Sequence, residues 1–158
     1  MSYPILVIDT NKVIAAALKP GRIRTLIYQA PLTLIAPIRM IEEAHKHSNI
    51  LAKKAGVSRE TLLTLLQKLV SDRINLETPR KTSATQARKI ASRFDPDDWP
   101  FIALALQHRA PLLTNDKDML RNALKTGEFK AVDTRGVEML LEGRSWHEVE
   151  EEMRKRYL

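Results

Sequence analysis

The chain contains no cysteine, which excludes disulfides, thiolate zinc sites and cysteine nucleophiles. That absence is compatible with a reducing compartment. Aromatic residues are scarce, three Phe, three Tyr and two Trp, so recognition is expected to lean on backbone and shape rather than on extended base stacking. No apolar stretch approaches the roughly 18 to 20 residues of a membrane span. The first residues lack the basic start and long apolar centre of a secretory signal, so a cytoplasmic location and no membrane partner are expected. No glycine-rich phosphate loop and no Ser/His/Asp arrangement is visible. Gly21 and Gly56 fall where helices end or the chain turns. No repeat, low-complexity tract or linker divides the chain.

What is present fits one domain with a real core: 158 residues, 44% hydrophobic and 28% charged. The formal net charge is +7. A basic surface favours polyanions, of which nucleic acid is the commonest in a cell. Candidate phosphate contacts are Arg22, Arg24, Lys46, His47, Lys53, Lys54, Arg80, Lys81, Arg88, Lys89 and Arg93. His45 and His47 fit an exposed helix face better than a ligand set.

Short apolar runs alternate with helical patterns. Residues 4 to 9 read as a buried strand ending in an acid. Residues 11 to 19 and 22 to 29 read as helices separated by Pro20-Gly21, and 32 to 36 as a second strand. Pro37 fits the first turn of a helix running to about His47. Residues 58 to 72 form an amphipathic helix with Ser58 as N-cap, and 74 to 77 a short strand. A basic helix over 83 to 93 and an apolar helix over 98 to 109 precede a strand at 111 to 114. A helix over 118 to 125, a strand over 130 to 133 and a helix over 134 to 142 follow. Ser145-Trp146-His147-Glu148 is a capping box that opens a charged last helix. Residues 78 to 86 are the most loop-like stretch and are expected to be mobile. Strands separated by helices predict an α/β fold, a three-layer α/β/α sandwich around a mainly parallel sheet.

Acidic residues stand at the ends of these elements. Asp9 directly follows Ile5-Leu6-Val7-Ile8, where it caps the next helix or faces a crevice at the sheet's mouth. One large phosphatase class needs a second aspartate two residues on, and Asn11 stands there. Phosphotransfer receivers need an acidic pair after the first strand, and only Asp9 is present. Asp95, Asp97 and Asp98 crowd the start of the apolar helix. Capping explains one such acid but not three, whose repulsion a cation would relieve. Asp116 and Asp118 repeat the pattern after Leu112-Leu113, and Glu42 and Glu43 lie on the helix after the second strand. Neighbouring helical residues point about 100° apart, so these two glutamates do not both face one site. Oxygen clusters of this kind suit hard cations, and phosphoryl chemistry uses such cations.

Three segments carry a family resemblance: Ile5-Leu6-Val7-Ile8-Asp9-Thr10-Asn11, Asp95 through Leu106, and Ala110 through Met119. Ala36-Pro37 with Glu42-Glu43-Ala44-His45-Lys46-His47 adds a fourth. Together they resemble the PIN-domain ribonucleases, particularly the toxin components of prokaryotic type II toxin–antitoxin pairs. The likeness spans residues 4 to 135. It implies a metal-dependent endoribonuclease holding one or two magnesium or manganese ions. Asp9, Asp98 and Asp116 match metal-binding acids, and Asp118 matches a frequent auxiliary. Glu43 is favoured as the remaining acid because the family's glutamate directly precedes an apolar helix position, here Ala44; Glu42 is the alternative. Thr10, Asn11, Thr114 and Asn115 match polar residues that line such sites, and Lys46 is an expected substrate contact. RNA, a cognate antitoxin and a second copy in a homodimer are the implied partners. Residues 1 to 142 correspond to the nuclease domain, and 143 to 158 form a helical extension beyond its usual compact form.

Overall fold

A computed structural model describes residues 4–158. The elements run β1 (Ile5–Ile8), α1 (Thr10–Leu18), α2 (Arg22–Gln29), β2 (Thr33–Pro37), α3 (Arg39–Lys46), α4 (Ser48–Ala55), α5 (Arg59–Arg73) and β3 (Ile74–Glu77). There follow α6 (Lys81–Ala91), a 3-10 turn (Pro96–Asp98), α7 (Trp99–His108), β4 (Leu112–Leu113), α8 (Lys117–Thr126), β5 (Ala131–Val132), α9 (Thr134–Leu141) and α10 (Trp146–Tyr157). The strands form one sheet in the order β3-β2-β1-β4-β5, with every pairing parallel. The α/β sandwich read from the sequence is the fold observed.

Burial explains why these short runs become central strands. Leu6, Val7 and Ile8 are successive residues pointing to alternate faces, yet all are buried, as are Leu34, Ile35 and Ala36 on β2. α7 packs across β1, β2 and β4 through Phe101, Ile102 and Leu104. α5 lies against α1, α4 and β3, burying Leu62, Leu66 and Leu69. The chain leaves β1 towards β2 and β3 and later returns on the other side of β1 with β4 and β5. The carboxyl ends of β1 and β4, paired through Val7–Leu112 and Ile8–Leu113, therefore flank a point where the winding reverses. Crevices for ligands open at such points.

The caps agree with the sequence at Ser58, whose hydroxyl accepts from Thr61 N at 3.0 Å, and at the Ser145–Glu148 capping box. Gly56 ends α4 in the left-handed region at φ 70°. Three expectations need correction. Pro37 is the last residue of β2, paired with Glu77, and α3 begins at Arg39. Proline has no N–H to give, so it closes a strand as readily as it opens a helix. Residues 48–55, not read as helical, form α4, whose apolar contribution is slight; Lys53 and Lys54 in its last turn suit the helix dipole. Most of the supposedly mobile stretch 78–86 is helix from Lys81 onward. Its Ser and Thr residues look loop-like, but Ala84, Ala87, Ile90 and Ala91 bury one face against α7.

The C-terminal helix closes the core. Val149 and Met153 are 0% exposed. Asp133, between β5 and α9, accepts from Arg156 Nη2 at 3.0 and 2.8 Å, from Tyr157 Oη at 2.7 Å and from Gly136 N at 2.7 Å. Burial alone would raise the Asp133 carboxyl, but these donors hold it below its ordinary value. Among the described residues no helix is long and apolar enough to cross a membrane.

Candidate active site

Four separate elements deliver carboxylates to one cavity of about 310 Å³ at the carboxyl end of the sheet. It is lined by Asp9, Thr10, Asn11, Ile14, Glu43, His47, Leu51, Asp95, Asp97, Asp98 and Asp116. A slightly larger cavity, about 340 Å³, lies between α3 and α5 but is mainly apolar and holds no carboxylate, so it offers no comparable chemistry.

Asp9 leaves β1 with extended backbone and occupies the N-cap position of α1, but makes no side-chain capping bond. Its Oδ2 instead accepts a 2.7 Å hydrogen bond from Thr114 Oγ1. Capping alone therefore does not account for Asp9. Burial raises its carboxyl above the ordinary value; the Thr114 bond and the amides of Asn11 and Thr10 oppose this, and the charge of Asp116 adds to it. Thr114 is fully buried, and its Oγ1 also accepts from Asp116 N at 3.0 Å. One hydroxyl thus fixes two acids from neighbouring strand ends.

Glu43 projects from α3 and accepts from Thr10 Oγ1 at 3.0 Å. Burial raises its carboxyl, and the Thr10 bond and Arg39 act against that. Glu42 is exposed and does not line the cavity, which resolves the choice between the two in favour of Glu43 for a place at the site. Asp98 ends the 3-10 turn and precedes α7, again without a capping bond from its side chain. Burial, followed by the charges of Asp95, Asp9, Asp116 and Glu43, pushes its carboxyl from 3.8 to about 7. Asp116 does cap: its Oδ1 accepts from Asp118 N at 2.9 Å and Met119 N at 3.1 Å.

Several expected residues sit elsewhere. Asp118 and Asn115 are exposed and outside the cavity lining, because Asp118 turns away in the first turn of α8. Lys46 is exposed on α3 and also outside the lining. Thr114 is too buried to touch a substrate and orients acids instead. Among the basic candidates, Arg24 caps the end of α1 through Ala16 O and Ala17 O, and Arg22 and Arg93 pair with Glu138 and Glu128. Arg88 lies over the Trp99 ring, 4.2 Å from its centroid, and Trp99 packs against the core rather than standing free.

The cavity also gathers residues not selected as site residues from the sequence. Asp95 and Asp97 line it, and their signal was the Asp95-Pro96-Asp97-Asp98 cluster itself. His47, a candidate phosphate contact expected on an exposed helix face, is exposed and lines the cavity's rim, four residues from Glu43. Leu51, on α4, had no legible signal.

The donor set is dominated by oxygen, six carboxylates with Thr10 and Asn11 beside the single imidazole of His47, which fits a hard divalent cation. Among the described residues, no three acid or imidazole groups are drawn to closed metal-ligand spacing. An open ring of acids still fits magnesium, which takes few carboxylates and keeps several waters. A family model described as PIN domain matches residues 7–153, from β1 into α10, and so contains every residue of the cavity. No curated protein matches the chain.

Proposed function

The chain belongs to the PIN-domain family, whose members are generally nucleases, and from that premise we propose that it is a divalent-metal-dependent endoribonuclease. The observation that carries the reading is the convergence of six carboxylates from four elements on one cavity, where burial and their mutual charge raise the Asp98 carboxyl. A purely structural acid is normally paired or capped; among the described residues Asp9, Glu43, Asp98 and Asp116 form no ion pair, and Asp9 and Asp98 make no capping bond from their side chains.

Asp9, Glu43, Asp98 and Asp116 would hold one or two magnesium or manganese ions. When bound, such a cation supplies Lewis acidity and a water of lowered pKa for attack on a phosphodiester. The chain's own residues do the positioning. Thr114 sets the carboxylate of Asp9 and the backbone of Asp116, and Thr10 sets Glu43. Asn11 and His47 flank the space and offer polar contacts to a phosphate or ribose. Asp116 would be the acid to take a proton from an attacking water if the cation alone does not activate it. Lys53, Lys54, Lys81 and Lys89 are exposed and supply positive charge outside the cavity for the rest of the strand. The products would carry a 3′-hydroxyl and a 5′-phosphate.

The resemblance of Ile5–Asn11 and Ala110–Met119 to toxin sequences supports a place in a type II toxin–antitoxin pair, with an antitoxin and a second copy as partners. A neighbouring reading frame that encodes an inhibitor of the enzyme would support that role.

The test is cleavage of labelled single-stranded and structured RNAs with magnesium, manganese or excess chelator, for the wild type beside Asp98→Asn. The proposal expects metal-dependent cutting that the variant lacks. Binding without cutting, with both metals and across the RNA set, would favour a non-catalytic nucleic-acid-binding module instead.

A further inference from the structure

Lys12 is an unusual residue for its position. It lies one turn into α1, three residues after Asp9, and is only 6% exposed. Lysines are almost never this buried without a partner. Its side chain does not enter the acidic cavity; it crosses to α9, where Nζ donates to Thr134 Oγ1 at 2.7 Å. Thr134 adjoins Asp133, which is itself fixed by Arg156, Tyr157 and Gly136. The Thr134 bond fixes the ammonium at the base of α1, in the same helical turn as Asp9, and the charges of Asp133 outside the cavity and Asp9 inside it both act on it without a direct ion pair. Burial pushes the Lys12 ammonium below its ordinary value, while Asp133 and Asp9 favour its charged form.

α1 is consequently clamped on both sides. Thr10 bonds Glu43 on α3, and Lys12 bonds Thr134 on α9. The second clamp could have been made by any hydrogen-bonding side chain. A full positive charge there does something more, because it is felt at Asp9. Six carboxylates around one space would bind a divalent cation, and any anionic product attached to it, strongly and with slow release. A fixed cation beside the first of them weakens that field without occupying the cavity.

We propose that Lys12 is a buried counter-charge that limits how tightly the acidic cavity binds a divalent cation, with Thr134 holding the charge in place. The inference rests on the reading of the cavity as a cation site.

The experiment is a titration of the full chain with Mn²⁺ at pH 8, following free Mn²⁺ by electron paramagnetic resonance. Wild type is compared with Lys12→Gln, Lys12→Met and Lys12→Arg. Gln retains a donor for Thr134 without charge, Met retains length without polarity, and Arg retains charge. Circular dichroism establishes that each is folded; if Lys12→Met is not, Lys12→Gln carries the comparison. The neutral variants are expected to bind Mn²⁺ about three- to tenfold more tightly, from a unit charge acting on a divalent ion across a partly solvated gap. Lys12→Arg should stay near wild type. A purely structural lysine would give the opposite sign, because loosening α1 weakens binding. Unchanged or weaker Mn²⁺ binding by a folded neutral variant overturns this inference alone. Failure of the wild type to bind Mn²⁺ overturns the cation site and this inference with it.

Discussion

Replacing Asp98 by Asn should stabilise the protein when no divalent cation is present, while removing the activity. Asp98 is half-buried, and its charge faces Asp95, Asp9, Asp116 and Glu43, which with burial raises its carboxyl from 3.8 to about 7. The unfolded chain holds that proton only below about 4, the folded chain up to about 7. Between these values the folded state binds more protons, so wild-type stability falls as pH rises. Below about pH 4 Asp98 is neutral in both states and Asn offers nothing extra. Above about pH 7 the wild type has lost the full contribution and the variant has not. An unscreened shift of that size corresponds to at most about 4 kcal/mol, and the solvent around a part-exposed carboxylate reduces this to about 1–2 kcal/mol. For a chain of this length each kcal/mol moves the melting temperature by about 2–4 °C. Urea unfolding in excess chelator at pH 4, 6 and 8 measures it directly. The gain should be near zero at pH 4 and largest at pH 8. Adding manganese should reverse the order, because the cation stabilises the wild type by binding it. A gain independent of pH, or a variant less stable at pH 8, would refute the electrostatic argument.

Three further outcomes follow from the same geometry. Gly136→Ala places a Cβ 2.4 Å from Val132 Cγ2 and 3.0 Å from Val149 Cγ1; the overpacking should cost about 1–3 kcal/mol in thermal unfolding, and an unchanged melting temperature would contradict the packing of α9 against α10. Thr114→Val removes the hydroxyl that joins Asp9 to the Asp116 amide, so metal affinity or cleavage should fall by about 10–100-fold in a protein that circular dichroism shows folded; full activity would mean the hydroxyl does not orient the acids. Glu43→Gln should abolish RNA cleavage and Glu42→Gln should leave it intact, and the reverse pattern in the same assay would reassign the acid contributed by α3.

Much of the fold could be read because burial on both faces leaves a plain signature. Ile5–Ile8 and Leu34–Ala36 are continuous apolar runs, and the helices between them carry apolar faces. What escaped reading depended on partners distant in sequence. Residues 48–55 are helical although few of them are buried, and α6 begins in residues whose composition suggests a loop. At the site, Asp9, Glu43, Asp98 and Asp116 were legible as acids at element ends. Asp118 and Asn115 looked equally suitable in sequence, but Asp118 lies in the first turn of α8 and Asn115 in the loop before it, both outside the cavity lining. Thr114 was visible as a polar residue near an acid; that it is buried and joins the Asp9 carboxylate to the Asp116 amide emerges only when β1 and β4 are side by side. The pairing of Lys12 with Thr134 spans 122 residues and has no local signature. Asp133, which caps α9 and also draws the last helix onto the core, pairs with Arg156 and Tyr157 more than twenty residues away and likewise has no local signature.

The central claim is that acids from four elements form one site for a divalent cation. It can be tested without knowing which RNA is cut. Isothermal titration calorimetry of manganese into the wild type and into Asp9→Asn, both freed of metal beforehand, measures it most directly. The account predicts binding by the wild type and at least about tenfold weaker binding by the variant, since one charged ligand is lost. Equal affinity in the two proteins, or no binding by the wild type, would contradict it.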